Sequence, residues 1–240
     1  MKTLYCSARY CALLAIVLAM AAPSSVRAQT AAAQLPATVS FAFERPGLPV
    51  PKFTLRVAED GRGSYQGEAA APPSPYPGVS TPPAPIDRSF MLSAATTRKI
   101  FALARDLHHF NTTCASKAKN IADTGKKTLS YKGPDGEGSC TYNYSENKSV
   151  QQLTELVQNI AGTMDEGREL DHLHRYDRLG LDAAISFLEQ QVTDGRALEL
   201  GTIQATLRSI ASDADLIQRV RTRANALLAQ IPAEMREIAP

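Results

Sequence analysis

Alternation of apolar and polar residues predicts β-strands in the first half of the chain. Residues 38–68 alternate in the manner of an antiparallel hairpin or meander, beginning with Val39 and Phe41 on one side. Arg88–Leu92 returns as a strand, and residues 127–144 predict a second hairpin around a glycine-rich turn. Because residues two apart share a strand face, these segments predict an antiparallel sheet of about five strands with one buried face.

A helical period replaces the alternation in Ser149–Tyr176. Its apolar residues recur at helical spacing and form one stripe. The members of this stripe are Val150, Leu153, Leu156, Val157, Ile160, Ala161 and Met164. Ser149 followed by Gln152 predicts a capping box at the start of the helix. Gly167 predicts a weak point within it, because glycine has a low helix propensity.

Further helices are predicted on both sides of this segment. Ser93 predicts the N-cap of an earlier helix that runs through Phe110. Three helical periods follow the long segment, at Leu181–Val192, Leu200–Ile210 and Leu216–Ile231. The predicted fold class is therefore α+β, with an antiparallel sheet of about five strands packed by two helices and followed by a C-terminal helical tail.

These patterns divide the chain into regions. Residues 38–164 form the predicted α+β domain, which contains a proline-rich loop at 72–85. Residues 165–240 form the predicted C-terminal helical region. Residues 29–37 are rich in alanine without a period, and they predict a disordered N-terminal segment.

The first 28 residues have the pattern of a signal peptide, with a basic start, a short apolar core and a cleavage site between Ala28 and Gln29. The apolar run is too short to span a bilayer, so we expect an exported protein, periplasmic or extracellular, without a membrane span after cleavage. Cleavage removes three basic residues and no acidic one, which changes the net charge from +2 to −1. This charge does not predict nucleic-acid binding, which requires a basic surface.

Two cysteines, Cys114 and Cys140, follow the predicted cleavage site. An even pair in an exported chain predicts a disulfide, worth about 3–4 kcal/mol in the chain-entropy model. The alternative is two free buried cysteines.

Residues 203–231 resemble one helical hairpin of the HEAT-repeat family. The matching positions are Leu207, Ile210, Asp213, Val220, Arg221, Ala224 and Leu228. HEAT hairpins stack into arrays that bind protein partners, whereas this resemblance covers a single copy. It implies a lone packing unit or cap.

Residues 39–164 are similar to uncharacterised exported bacterial α+β families. The similarity lies in the order of the predicted elements and in a glycine-rich turn. The turn residues are Asp60, Gly61, Gly63, Tyr65 and Gly67. This resemblance implies export and an α+β fold, but it implies no activity.

Histidines are the first candidates for a functional site. His172 and His174 lie two residues apart on a predicted helix, where their side chains point about 200° apart and cannot hold one ion together. We expect His174 to pair locally with Asp171 or Arg178. A structural role is therefore the favoured interpretation of this pair.

Other candidate chemistry is also weak. The chain contains neither G-x-S-x-G nor H-E-x-x-H. The pairs Asp165/Glu166 and Asp213/Asp215 are interpreted as helix-end and capping groups rather than as a glycosidase dyad. We predict no catalytic, cofactor-binding or metal-binding residue, and a contribution of His108, His172 or His174 to some site stays an open question.

The leading functional hypothesis is an exported, non-enzymatic protein with a protein-interaction or envelope-structural role. Its partner is expected to bind through the C-terminal helices, because these carry the HEAT-like hairpin. The alternatives are an enzyme with an unrecognised active site and a module that binds a metal or a small ligand. The sequence leaves the oligomeric state open.

Overall fold

The computed structural model describes residues 36–70 and 83–236, which belong to one compact unit. The predicted signal peptide, the cleavage site between Ala28 and Gln29 and most of the proline-rich loop 72–85 lie outside the described residues. The fold is α+β, with one antiparallel sheet and a C-terminal set of helices.

Six strands form the sheet, in the order β4-β3-β2-β1-β5-β6, and all neighbours are antiparallel. The strands are β1 (Thr38–Glu44), β2 (Lys52–Ala58), β3 (Arg62–Ala69), β4 (Ala84–Met91), β5 (Lys126–Gly133) and β6 (Gly136–Tyr142). The prediction of about five strands is therefore wrong by one. Strand β3 has a weak apolar pattern with two glycines, Gly63 and Gly67, but it pairs with β4 along its whole length.

The two faces of the sheet differ in polarity. Inward residues such as Phe41 and Leu129 are buried. The outer face carries hydroxyl side chains, among them Ser130 and Ser139, whose Oγ atoms lie 3.0 Å apart. One apolar and one polar face is the pattern expected of an antiparallel sheet covered by helices on one side.

Helix α1 (Ala94–Asp106) begins as predicted and ends earlier than predicted. Ser93 is the N-cap, and its Oγ accepts a hydrogen bond from the Thr96 N–H group (3.3 Å). The helix does not continue to Phe110, because the residues of the 3₁₀ turn His108–Phe110 all have positive φ. A Cβ at Gly138 of β6 would clash with the His109 carbonyl oxygen, so this left-handed turn packs directly on the edge strand.

The predicted disulfide between Cys114 and Cys140 is confirmed, with a Cα–Cα distance of 5.8 Å. It joins the segment after α1 to β6. The Ser116 N–H group donates to the Tyr144 carbonyl oxygen (2.9 Å), so this segment lies along the edge of the sheet. Covering an edge strand in this way blocks its pairing with other chains. An intramolecular bridge is compatible with export.

Helix α2 (Lys148–Tyr176) is continuous over 29 residues. Its N-cap is Asn147, whose Oδ1 accepts hydrogen bonds from the N–H groups of Ser149 (2.9 Å) and Val150 (3.4 Å). The predicted capping box of Ser149 and Gln152 is wrong, because Ser149 already lies within the first helical turn. The asparagine side chain satisfies the free amides instead.

The buried stripe of α2 belongs to two hydrophobic clusters. From Val150 to Met164 it packs in the cluster that contains the inner face of the sheet and α1. From Leu170 onward it packs in a second cluster with the C-terminal helices. One helix therefore supplies buried side chains to both clusters.

Four helices follow α2 in the described part of the chain. They are α3 (Leu181–Thr193), α4 (Gln204–Ser212), α5 (Gln218–Ala229) and α6 (Ala233–Arg236). Helices α4 and α5, which cover the predicted HEAT-like hairpin, pack against each other, and α3 packs on both α2 and α5. Among residues 36–70 and 83–236, no helix combines the length and apolarity needed to cross a membrane.

Glu199 joins α1 to the C-terminal helices. Its carboxylate accepts hydrogen bonds from the Ser93 N–H group (2.8 Å), from the Ser93 hydroxyl (2.7 Å) and from the Thr96 hydroxyl. An anion at a helix N-terminus is favourable, because it faces the positive end of the helix dipole. The backbone of Glu199 is left-handed (φ 58°), which directs this contact at the cost of some local strain.

Gly167 is a point of close contact and not a weak point of α2. The helix passes through it, and the residue is buried. A Cβ at this position would overlap Cγ2 of Ile203 and lie 2.8 Å from its Cβ. Ile203 ends the 3₁₀ turn (Leu200–Ile203) before α4. Glycine is therefore required where the turn crosses the helix.

Gly167→Ala should destabilise the protein. The clash with Ile203 costs about 1–3 kcal/mol as overpacking and the alanine gains about 1 kcal/mol in helix propensity, so the net loss is up to about 2 kcal/mol. Gly162→Ala is the matched control, because Gly162 lies on the same helix, where an added Cβ would have nothing within 4 Å, and it should gain about 0.5–1 kcal/mol. Urea unfolding followed by circular dichroism measures both values, and a Gly167→Ala protein more stable than the wild type would contradict the close contact.

Replacing both disulfide cysteines by serine should lower the free energy of unfolding by about 3.5 kcal/mol, from the entropy of closing a loop with a separation of 26 residues. The wild-type protein in a thiol reductant should show the same loss in urea unfolding. The Cys114→Ser/Cys140→Ser protein should not respond to the reductant. Equal stability of the oxidised and reduced wild-type proteins would show that the bridge adds nothing.

Candidate functional site

A large groove lies between the sheet and the first half of α2, with a volume of about 590 Å³. Strand β1, the segments on either side of the β5–β6 hairpin and α2 all contribute to it. Its lining residues are Phe43, Arg45, Leu48, Thr124, Lys127, Tyr142, Asn143, Tyr144, Ser145, Gln151, Thr154, Glu155, Gln158 and Asn159. This volume is within the range of ordinary ligand sites, roughly 300–1,000 Å³.

Lys127 forms the floor of the groove. It lies on β5 in phase with the inward residues, and only 5% of it is exposed. Its Nζ donates to the carbonyl oxygens of Thr124 (3.0 Å), Gly125 (3.1 Å) and Asn143 (2.9 Å) and to the Thr124 hydroxyl (2.9 Å). Burial lowers the pKa of this ammonium group. Since an ammonium has three N–H groups, this set of acceptors already engages all of them.

Asn143 makes the floor rigid. Its Oδ1 accepts a hydrogen bond from the Thr124 N–H group (2.8 Å), and its Nδ2 donates to the Ala122 carbonyl oxygen (2.9 Å). The lysine and the asparagine thus hold the chain before β5 against the chain after β6. A satisfied network of this kind fixes one arrangement of the backbone.

The wall of the groove is a polar stripe on α2. Its members follow helical spacing beside the buried apolar stripe. They are Gln151, Thr154, Glu155, Gln158 and Asn159. Two are engaged within the protein, because the Gln151 side-chain amide donates to the Ser145 carbonyl oxygen (2.7 Å) and the Thr154 Oγ1 lies 2.5 Å from the Tyr142 hydroxyl. Burial raises the pKa of Tyr142 to about 12.

Sequence reasoning missed this groove, although two signals for it are visible. Lys127 has the inward phase of Leu129 and Tyr131, where a charged residue interrupts the apolar alternation. The first half of α2 also carries several amide and hydroxyl side chains on one stripe without alternating charges. Neither signal identifies a groove, because the concavity depends on how the helix leans on the sheet.

Asp165 lies in the middle of α2, so its interpretation as a helix-end group is wrong. The Tyr65 hydroxyl donates to its carboxylate, with distances of 3.1 Å to Oδ1 and 3.0 Å to Oδ2. Burial raises the pKa of both groups, and Arg168 (Nε 3.8 Å from Oδ1) opposes this for the carboxyl. Tyr65 is on β3, so the pair is a partly buried polar link between the sheet and α2.

The histidines occupy separate places. His174 Nε2 lies 2.8 Å from Oδ2 of Asp213, and this hydrogen bond lowers the pKa of Asp213. The predicted pairing of His174 with Asp171 or Arg178 is therefore wrong, because the turn between α4 and α5 brings Asp213 to the histidine. The ring of His172 packs on Tyr176 with centroids 5.1 Å apart. His108, on the turn after α1, is exposed.

Within residues 36–70 and 83–236, no three His, Cys, Asp or Glu side chains are grouped so that they could hold a metal ion. A small titratable cluster surrounds Asp135, which contacts the Tyr131 hydroxyl (2.5 Å) and Arg105 (2.9 Å). These hydrogen bonds lower the pKa of Asp135. Its surface position and its cationic partner favour a structural role.

A second candidate surface lies at the end of the C-terminal helices. It consists of Leu179, Tyr176 and Ile217, which are 94%, 75% and 57% exposed. We refer to these three residues as the apolar tip. Large apolar side chains that are exposed singly are common, so the significance of these three depends on whether they lie together.

Two ion pairs bracket the apolar tip. Arg178 Nη2 lies 3.2 Å from Asp213 Oδ2, and Arg219 Nε donates to Asp182 Oδ1 (2.9 Å). In the sequence, Leu179 lies between Arg178 and Asp182. Ile217 lies between Asp213 and Arg219. Both ion pairs therefore hold the α2–α3 turn, which contains Leu179, beside the start of α5, which follows Ile217. Tyr176 is the last residue of α2, just before this turn.

Comparisons with known proteins do not identify the chain, since no protein-family model and no curated protein matches it. The geometry of the groove and of the apolar tip is the basis for assigning a function.

Tyr65→Phe should destabilise the protein more at pH 7 than at pH 4. Burial raises the folded-state pKa of Asp165 above its ordinary value of 3.8. The contribution of this carboxyl group to stability therefore falls as the pH rises from the ordinary pKa through the folded-state pKa. Loss of the tyrosine donor raises this pKa further and removes the hydrogen bond from a partly buried carboxylate, at a cost of about 1 kcal/mol once it is ionised.

Urea unfolding at both pH values measures this difference. The control is Tyr65→Phe made in an Asp165→Asn background. The asparagine keeps an acceptor for the Tyr65 hydroxyl and removes the charge, so the added effect of Tyr65→Phe should not change between pH 4 and pH 7. An equal loss for Tyr65→Phe at both pH values would show that the hydrogen bond does not act on the ionised carboxylate.

Proposed function

We propose that this is an exported, non-enzymatic protein that binds a protein partner through the apolar tip of its C-terminal helices. The observation that carries the proposal is the exposure of Leu179, Tyr176 and Ile217 at one end of the helical region. The intramolecular disulfide and the signal-peptide pattern support export.

Leaving these three side chains in water costs free energy that a partner could recover by covering them. Full burial of a leucine or isoleucine side chain contributes about 1.5–3 kcal/mol, and a tyrosine adds a large apolar ring with a polar end. Three such groups at one place are sufficient for the apolar centre of a small interface. The core residues of α3, such as Leu181 and Ile185, are already buried, so these three are available without unfolding any helix.

The surroundings of the tip also suit a protein interface. Arg178 and Arg219 stand beside it with exposed side chains, each paired with an aspartate. Protein interfaces combine an apolar centre with a polar rim, and tyrosine and arginine are enriched in them. The arginines at this rim are already paired with aspartates, so their charges are neutralised. Such a rim favours a partner with an uncharged apolar patch over one with a strongly charged patch.

Photo-crosslinking in cells that produce the full chain tests this proposal. A photoreactive amino acid at Leu179 should give a defined crosslinked partner, whereas the same group at the exposed Lys99 of α1 should not. Leu179→Ser together with Ile217→Ser should reduce binding of the purified partner by at least about tenfold, or 1.4 kcal/mol. The melting temperature should be unchanged, because both side chains are exposed.

Two outcomes would overturn the proposal. One is equal crosslinking from the two positions, which would show that the tip has no special affinity. The other is a crosslinked species that contains only this chain, which would identify the tip as a contact between two copies.

A further inference from the structure

The groove offers a set of polar side chains that the protein itself leaves unused. In the described part of the chain, the side chains of Arg45, Glu155, Gln158 and Asn159 form no hydrogen bond or ion pair with another residue, although all four line the groove. Two neighbours on the same wall, Gln151 and Thr154, are engaged. Three of the four, Glu155, Gln158 and Asn159, lie on one stretch of α2, opposite the floor formed by Lys127.

The groove is lined by two cations, Lys127 and Arg45, and one carboxylate, Glu155, but only Arg45 and Glu155 are free to pair with a ligand. The ammonium group of Lys127 has acceptors for all its N–H groups, so it offers no free donor to an anion. The remaining charges are one guanidinium, Arg45, and one carboxylate, Glu155. An anionic ligand would meet the carboxylate, and a cationic ligand would meet both cations. The groove therefore favours a neutral ligand.

The unused side chains are planar groups with paired hydrogen-bonding atoms. An amide presents an oxygen acceptor beside N–H donors, a carboxylate presents two oxygens, and a guanidinium presents a fork of donors. Neighbouring hydroxyls of a sugar ring each donate and accept, so one planar group can engage two of them. A polyhydroxylated ligand therefore fits this combination of asparagine, glutamine, glutamate and arginine side chains.

An aromatic side chain stands at the rim. Tyr144 is 42% exposed, lines the groove and follows the end of β6. Its ring can pack on the apolar C–H face of a pyranose while its hydroxyl remains in water. Leu48 and Phe43 add apolar surface to the same concavity.

We propose that the groove is a binding site for a neutral oligosaccharide, held by Gln158, Asn159, Glu155 and Arg45 and stacked on Tyr144. An extended peptide is disfavoured, because peptide recognition at a sheet commonly adds a strand to an open edge. The edge nearest the groove is β6, and the disulfide-bonded segment after α1 already covers it.

Nitrogen-15 NMR titrations of the signal-cleaved protein test the site directly. The probes are chitotriose, cellotriose and maltotriose, with trialanine and citrate as a peptide and an anion for comparison, each to about 10 mM, which detects millimolar dissociation constants. At least one trisaccharide should shift the backbone resonances of residues 143–159 and the side-chain amides of Gln158 and Asn159. Trialanine and citrate should not.

Variants then distinguish the groove from other surfaces. Asn159→Ala and Gln158→Ala should each weaken trisaccharide binding about tenfold, because each removes a hydrogen-bonding pair from the ligand. Both keep a helix-compatible residue at a partly exposed position, so folding should be preserved. Gln152→Ala is the matched control, since Gln152 is exposed on the same helix and does not line the groove.

Three results would overturn the proposal. The first is that no trisaccharide shifts the groove resonances at the highest concentration. The second is that a trisaccharide binds with equal affinity to the Asn159→Ala and wild-type proteins. The third is that trialanine or citrate binds the groove more tightly than every trisaccharide. None of these results bears on the apolar tip, which lies at the opposite end of α2.

Discussion

The rest of the structure depends on the burial of one long helix in two hydrophobic clusters. The first half of α2 covers the inner face of the sheet, and the second half packs with α3, α4 and α5. Between these halves, Gly167 allows Ile203 to approach so closely that even a methyl group would not fit. Glu199, just before that contact, caps α1. Close approach and capping together hold the helical region against the sheet.

This arrangement places two surfaces of different chemistry at the two ends of α2. Near its N-terminus, the lean of the helix on the sheet leaves a groove whose floor is a satisfied lysine, Lys127, and whose wall is amide-rich. Near its C-terminus, the turn into α3 exposes Leu179, and ion pairs hold this turn near the start of α5, where Ile217 is exposed. The same rigid element can therefore carry a polar surface at one end and an apolar surface at the other. Rigid elements hold such sites more precisely than loops do.

Local patterns predicted those elements that leave a signal in the nearby sequence. The strands, the Ser93 cap and the pairing of Cys114 with Cys140 followed from alternation, capping chemistry and cysteine count. Errors arose where a distant partner overrides a local preference. His174 pairs with Asp213, which is 39 residues away, and Asp165 accepts a hydrogen bond from Tyr65, which is 100 residues away. Sequence spacing contains no information about such contacts.

The sequence by itself determined the α+β class, the apolar stripe of α2 and the helical character of the C-terminal region, because hydrophobic periodicity acts residue by residue along the chain. Only the tertiary structure decided the role of Gly167. A glycine within a helix can mark a weak point or a close contact, and the sequence is the same in both cases. The tertiary structure also decided which polar residues remain unused. Glu155, Gln158 and Asn159 look like any solvated helix face until the sheet is placed opposite them, because a concave site requires two elements and neither one encodes it alone.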